Sequence, residues 1–265
     1  MIIDSHIHIS YVKEKKEFFE IKKNLLLNME KNGVDRSIVI PDNLHGSNCA
    51  DLENVLNLIK GENNLYAMGT LQIEEINPLN IEKIDNLFNQ KLIKGFKIFP
   101  GHDPIYPTDQ RLYPIYELCI KHDYPLIIHT GINSDSDRLC ANYNDPKYII
   151  EIAKKFSNLK IIIAHYFWPK LDYCFDITNG FENIYFDTSA LADPEVIGMS
   201  GGIEKMKEIL QKTFKRNPDS VLFGTDWPMC EVERHIDLIE SLEINEVEKE
   251  KIFCGNSIRL FKLDK

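Results

Sequence analysis

Residues 1–10, MIIDSHIHIS, form an apolar run that ends in two histidines separated by a single isoleucine. One reading is a leftover purification tag, but two histidines spaced by Ile make a poor tag. The other is a β-strand, in which residues i and i+2 point to the same face. On that reading His6 and His8 project together from the end of a first strand, with Asp4 on the same face two residues deeper.

The rest of the chain repeats the pattern. After IIDSHIHI (2–9), further β-branched runs are RSIVIPD (36–42), LYAMGTLQ (65–72), IKGFKIFP (93–100) and YPLIIHTG (124–131). LKIIIAHYF (159–167), NIYFDTSA (183–190) and VLFGTDWP (221–228) complete eight. Several are nearly continuous apolar stretches, as expected of parallel strands covered on both sides. Between them the period becomes helical. Phe19, Leu25, Leu26 and Met29 share one predicted face before Gly33, and Leu52, Val55, Leu56 and Ile59 another before Gly61. Ile81, Ile84, Leu87 and Phe88 form a third before Gly95. Asn144 or Asp145 is placed to cap a helix that starts near Pro146.

Eight strand–helix units imply a parallel sheet with right-handed crossovers. At 265 residues, a single domain spanning 1–265 closes most simply as a (β/α)8 TIM barrel, for which about 250 residues is typical. An open doubly wound sheet would call for a glycine-rich phosphate loop, and neither G-x-G-x-x-G nor G-x-x-x-x-G-K-[ST] occurs.

Net charge is −10 and the pI about 5.3, which argues against nucleic acid or an anionic membrane as partner. The six cysteines contain no C-x-x-C pair, so a zinc ribbon is excluded and a reduced, cytoplasmic setting is expected. No signal peptide and no run of the roughly 20 apolar residues of a membrane span is expected.

The odd residues within the runs carry the chemistry. His6 and His8, Lys97, His129, His165 and Asp226 stand toward the C-terminal ends of runs 1, 4, 5, 6 and 8. In a TIM barrel those ends gather on the active-site face. One such histidine is ordinarily a hydrogen-bonded core residue; four with an aspartate, all at strand ends, point to a metal site. Imidazole and carboxylate suit zinc first, with manganese, iron, cobalt or nickel compatible.

The set SHIH, FKIFP, IIHTG, IIAHYF and FGTDWP, with a closing GNSIRLF, resembles the amidohydrolase superfamily over residues 2 to about 261. Its second branch of metal-dependent TIM-barrel hydrolases is the nearest in pattern. The resemblance implies His6, His8, His129 and Asp226 as metal ligands. It implies His165 either as ligand to a second ion or as a catalytic residue. Lys97 stands in a K-[IL]-[FY]-P segment like that of members whose carboxylated lysine bridges two ions, so one or two ions are expected. A metal-activated water attacking a small-molecule amide, ester or lactone is the expected hydrolase chemistry. Asp226 would shuttle the proton and His165 would orient the water or bind the oxyanion.

A non-oxidative decarboxylase of an aromatic or muconate-type acid is the alternative. A TatD-type deoxyribonuclease is less compatible, since that group carries a glutamate where this chain has Lys97. Trp227, Tyr166, Trp168, His102 and Arg138 are candidates for the substrate pocket. Asp42 and His45, in the loop after run 2, are weaker ones. His122 and His235 are expected at the surface, and Asn256 and Arg259 are expected to anchor the last helix. Superfamily members often self-associate, so a homo-oligomer is compatible with the resemblance.

Overall fold

The computed structural model describes residues 1–44, 46–132 and 138–264. Eight strands lie in one parallel sheet, each paired with the next: β1 (Ile3–Ile7), β2 (Arg36–Val39), β3 (Leu65–Gly69), β4 (Ile93–Ile98), β5 (Leu126–Ile128), β6 (Ile161–Ile163), β7 (Ile184–Asp187) and β8 (Val221–Leu222). Backbone hydrogen bonds from Ser5 to Phe223 (2.9 Å), Asp226 to His6 (2.8 Å) and His8 to Trp227 (2.7 Å) join the last segment to the first. The (β/α)8 barrel read from the sequence is therefore the fold.

The apolar runs are continuous because both faces are covered. In β5 and β6, Ile127 and Ile162 belong to the inner cluster, while Leu126, Ile128, Ile161 and Ile163 pack in the larger cluster with the surrounding helices. The same alternation acts in β4, where Phe96 and Ile98 pack outward and leave Lys97 directed inward.

The helices α1 (Phe18–Asn32), α2 (Leu52–Ile59), α3 (Pro78–Asn89), α4 (Tyr113–His122), α5 (Pro146–Lys155), α6 (Leu171–Ile177), α7 (Pro194–Met199), α8 (Ile203–Arg216), α9 (Val232–Glu240), α10 (Glu246–Glu250) and α11 (Asn256–Phe261) follow the strands. In α1 the buried stripe is Ile21, Leu25 and Met29; Phe19, two residues before Ile21, falls on the far side and is exposed. Gly33 closes α1 in the left-handed conformation, as its placement predicted. Gly95 does not end α3 but sits within β4. Asp145 is the cap of α5, whereas Asn144 is buried and bonded to Gly131 and Pro100. Asn256 donates to the carbonyls of Pro218 and Val221, and Arg259 to that of Asp219, which fastens α11 under the barrel as expected.

Two surface expectations fail. His235 is buried: its Nδ1–H donates to the Glu231 carbonyl and its Nε2 accepts from Ala192 N–H, so both ring nitrogens are used internally. His122 is half-buried, stacked on Phe88 and bonded to Asp85. Among the described residues no helix is long and apolar enough to cross a membrane.

A Cβ added at Gly95 would lie 2.5 Å from Met68 Cε and 2.6 Å from the Pro125 carbonyl oxygen. Gly95→Ala should therefore cost about 1–3 kcal/mol of stability through overpacking. Urea unfolding measures it, and a midpoint equal to wild type would mean that β3 and β5 can move apart.

Candidate metal centre

His6 is fully buried in β1, and its Nδ1–H donates to Asp187 Oδ2 over 2.7 Å. His8 follows one residue past the strand, its Nδ1–H donating to the Ile40 carbonyl over 2.8 Å. Both rings thus turn Nε2 toward Asp226, whose Oδ1 lies 3.7 Å from His6 Nε2 and 3.3 Å from His8 Nε2. Asp226 reaches this place from a left-handed turn (φ 69°) beyond β8. Lys97 Nζ, buried within the barrel, lies 3.4 Å from His6 Nε2.

His165 begins a run of three left-handed residues after β6, with φ near 59°, 54° and 55° at His165, Tyr166 and Phe167. Asp187 and Ser189 hold that turn. Asp187 Oδ1 accepts from His165 N–H (3.1 Å), and the Ser189 hydroxyl donates to the same oxygen. His165 Nδ1–H donates to Ser189 Oγ over 2.9 Å, which leaves Nε2 as its available nitrogen. Ligand atoms of His6, His165 and Asp226 lie within 4.8 Å of one another. On the opposite wall His129 Nε2 is buried with no hydrogen-bond partner among the described residues. Its ring packs 4.9 Å from that of His165 and 4.5 Å from that of His102.

Burial alone would raise Asp187, but His6, His165 and Lys97 hold its carboxyl well below the usual range. Burial also opposes ionisation of Asp226, and His8, His165 and His6 outweigh it. Burial pulls His165 down to about 3 and His129 well below its ordinary value, so both are neutral imidazoles. Lys97 is drawn down to about 8 by burial, against the attraction of Asp187 and Asp226. His8 is the exception: burial lowers it, but the contacts with Asp226 and Cys49 lift it to about 10. The proton held between His8 and Asp226 stands where a divalent cation would displace it. Imidazole nitrogens pre-oriented by Nδ1 bonds, a carboxylate that stays ionised and an orphaned buried Nε2 fit such a cation.

His8, Lys97, His129, His165 and Asp226 line a cavity of about 490 Å³, within the range of about 300–1,000 Å³ usual for small-molecule sites, with His6 and Asp187 buried behind them. Phe99, Ile132, Trp168 and Met229 supply its apolar walls, and His102 and Asp42 also reach it. Tyr166 does not: it is packed away from the cavity, stacked on Phe186 and bonded to Thr213 in α8. Trp227 faces a neighbouring groove beside α1, because the cavity side of its turn is taken by Asp226. Arg138 is exposed at the start of the turn Arg138–Asn142, outside the cavity lining among the described residues. His45 lies outside the described residues. Asp4 serves the framework and not an imidazole ring: its carboxylate accepts from the Thr225 hydroxyl and N–H and from His6 N–H. Asp187 and Ser189 were missed in the sequence, although NIYFDTSA breaks at Asp187 as the other runs break at their polar residues.

The family described as Amidohydrolase matches residues 3–263. Gamma-resorcylate decarboxylase of Polaromonas sp. (strain JS666 / ATCC BAA-500) is 30% identical over 84 residues, a match covering 32% of this chain and only 22% of that protein. Two solved structures share the fold. The dihydroxybenzoic acid decarboxylase of Polaromonas sp. JS666, bound to manganese and 2-nitroresorcinol, has a TM-score of 0.66 at 16% identity, over 100% of this chain and 97% of that one. A Pseudomonas putida protein assigned as 2-pyrone-4,6-dicarboxylic acid hydrolase has a TM-score of 0.73 at 13% identity, over 100% and 98%.

Asp187→Asn would replace the acceptor of the His6 Nδ1–H bond with a weaker one. Metal titration of the folded variant should show about 10–100-fold weaker binding. Unchanged affinity would mean that Asp187 does not orient His6.

Proposed function

The chain belongs to the amidohydrolase family, and on that premise we propose that it is a metal-dependent decarboxylase of a small hydroxylated aromatic acid. The observation that carries this reading is the His165 ring. Tied at Nδ1 through Ser189 to Asp187, it keeps Nε2 beside the ligand cluster as a proton carrier. The decarboxylase relative and the flat apolar walls of the cavity support the same choice.

His6, His8 and Asp226 would hold the ion, with His129 across the cavity. When bound, a divalent cation supplies charge that holds the substrate's oxygens and stabilises the negative charge developing as the carbon–carbon bond breaks. Phe99 and Trp168 would flank the aromatic ring and exclude water. His165, neutral in the resting enzyme, takes the proton of the hydroxyl next to the carboxyl group. It returns that proton to the carboxyl-bearing carbon. The carbon–carbon bond then breaks, its electron pair stays with the ring, CO₂ leaves and the product departs as a phenolate that takes a proton from water.

A hydrolase acting on a pyrone-type lactone is the second reading, favoured by the likeness to the Pseudomonas putida protein. The test supplies 2,6-dihydroxybenzoate, or alternatively 2-pyrone-4,6-dicarboxylate, to protein loaded with manganese or zinc. Released CO₂ is expected from the aromatic acid, and His165→Asn should lower its rate about 10²–10⁴-fold while metal still binds. Ring opening of the lactone without CO₂ would put the hydrolase in its place.

A further inference from the structure

Asn144 is fully buried just before α5, and both polar atoms of its amide are bonded within the protein. Its Oδ1 accepts from Gly131 N–H over 3.0 Å. Its Nδ2–H groups donate to the carbonyls of Pro100 (3.1 Å) and Gly131 (3.2 Å) and to the Cys140 sulfur (3.4 Å). Asp145, the cap of α5, and the buried Pro146 and Ile149 fix the base from which it reaches. One side chain therefore ties the loop after β4 to the loop after β5. Each tie stands beside an aromatic wall of the cavity. Pro100 directly follows Phe99. Gly131 presses on Trp168: a Cβ there would lie 2.6 Å from the Trp168 carbonyl oxygen and 3.3 Å from Cδ1 of the indole. Ile132 N–H donates to the same carbonyl over 3.3 Å. Phe99 and Trp168 are both buried, and both line the cavity.

We propose that Asn144 is a positioning residue that sets the spacing of Phe99 and Trp168, and so makes the cavity select flat ring acids over puckered ones. The inference rests on the aromatic acid proposed above and names what distinguishes it from other acids. Asn144 is not among the cavity-lining residues, so it acts through the backbone, at Pro100 on one side and at Gly131 and Trp168 on the other. A flat ring fits between walls held at one separation, whereas a saturated ring is thicker and requires them to part. Parting them would break bonds of a buried amide and leave carbonyls and an N–H unpaired, which is what makes the spacing stiff. Close packing of Gly131 on Trp168 passes that stiffness to the indole. The metal ligands His6, His8 and Asp226 stand on β1 and beyond β8, away from these ties, so the spacing of the walls is set apart from the grip on the ion.

Calorimetric titration of manganese-loaded protein with benzoate and with cyclohexanecarboxylate provides the test, because the two acids share one carboxylate and differ in the flatness of the ring. Wild type should bind benzoate at least about tenfold more tightly, the scale on which an apolar pocket discriminates by shape. Asn144→Ala should bring the two affinities together while manganese affinity stays at the wild-type value. A loss of stability alone would not move that ratio. Gly131→Ala, which keeps Asn144 but pushes on the Trp168 carbonyl, should shift the ratio as well. Equal affinities in wild type, or a ratio unchanged in Asn144→Ala, overturn the proposal. Weakened manganese binding with the ratio kept also overturns it, since Asn144 would then support His129 and not the walls. If Asn144→Ala does not fold by circular dichroism, an unchanged ratio in Gly131→Ala overturns it. These readings need no turnover, so flat-ring selectivity without CO₂ release would remove the decarboxylase and leave the role of Asn144 standing.

Discussion

The backbone hydrogen bond from Asp226 N–H to the His6 carbonyl, 2.8 Å long, joins the last strand segment to the first. Without this seam the sheet would have two open edges. The seam also lays the two ends of the chain's chemistry side by side, since the residues that make it carry the carboxylate and one of the imidazoles that face each other. Asp4 secures it from beneath through Thr225, so a carboxylate that touches no imidazole ring still governs where Asp226 stands. β8 is only two residues long for the same reason: beyond Leu222 the chain leaves the ladder to form the left-handed turn at Asp226.

That turn and the one at His165 hold non-glycine residues at positive φ, where each costs about 1–3 kcal/mol. The cost is offset by specific bonds. Asp187 and Ser189 hold His165, and the Thr130 hydroxyl accepts from Phe167 N–H over 2.9 Å. Asp187 is the hub, accepting from His6 on one oxygen and from His165 and Ser189 on the other. An ionised carboxylate buried so deeply persists because every neighbour donates to it. One residue at the end of β7 therefore couples the orientation of two imidazoles from different strands.

The barrel was legible because its signals are periodic. Eight apolar runs, helical stripes between them and polar breaks at the run ends all follow from alternation and burial. Those breaks pick out His6, His8, Lys97, His129, His165 and Asp226, which the barrel gathers on or just beneath one cavity. What failed was of another kind. Tyr166 and Trp227 adjoin chosen residues in sequence, but left-handed turns at His165 and Asp226 swing the next side chain away from the cavity. His235 looked like a helix-surface residue because its partners, the Glu231 carbonyl and Ala192 N–H, are backbone groups with no sequence signature. Asp187 was hidden by its chemistry, since an aspartate at a strand end reads equally as a turn residue.

The rim of the cavity is divided by donor chemistry. On the β1 and β8 side, Nδ1–H bonds to a carboxylate and a carbonyl fix His6 and His8 before any ligand arrives, and Asp226 supplies charge. On the β4 and β5 side burial keeps His129 a neutral imidazole, with His102 and Cys140 beside it. Lys97 stands at the inner end, its amine weakened by burial to about 8. The same burial that pushes His6, His129 and His165 below their ordinary values keeps their nitrogens unprotonated and able to ligate, while the contacts with Asp226 and Cys49 set His8 apart.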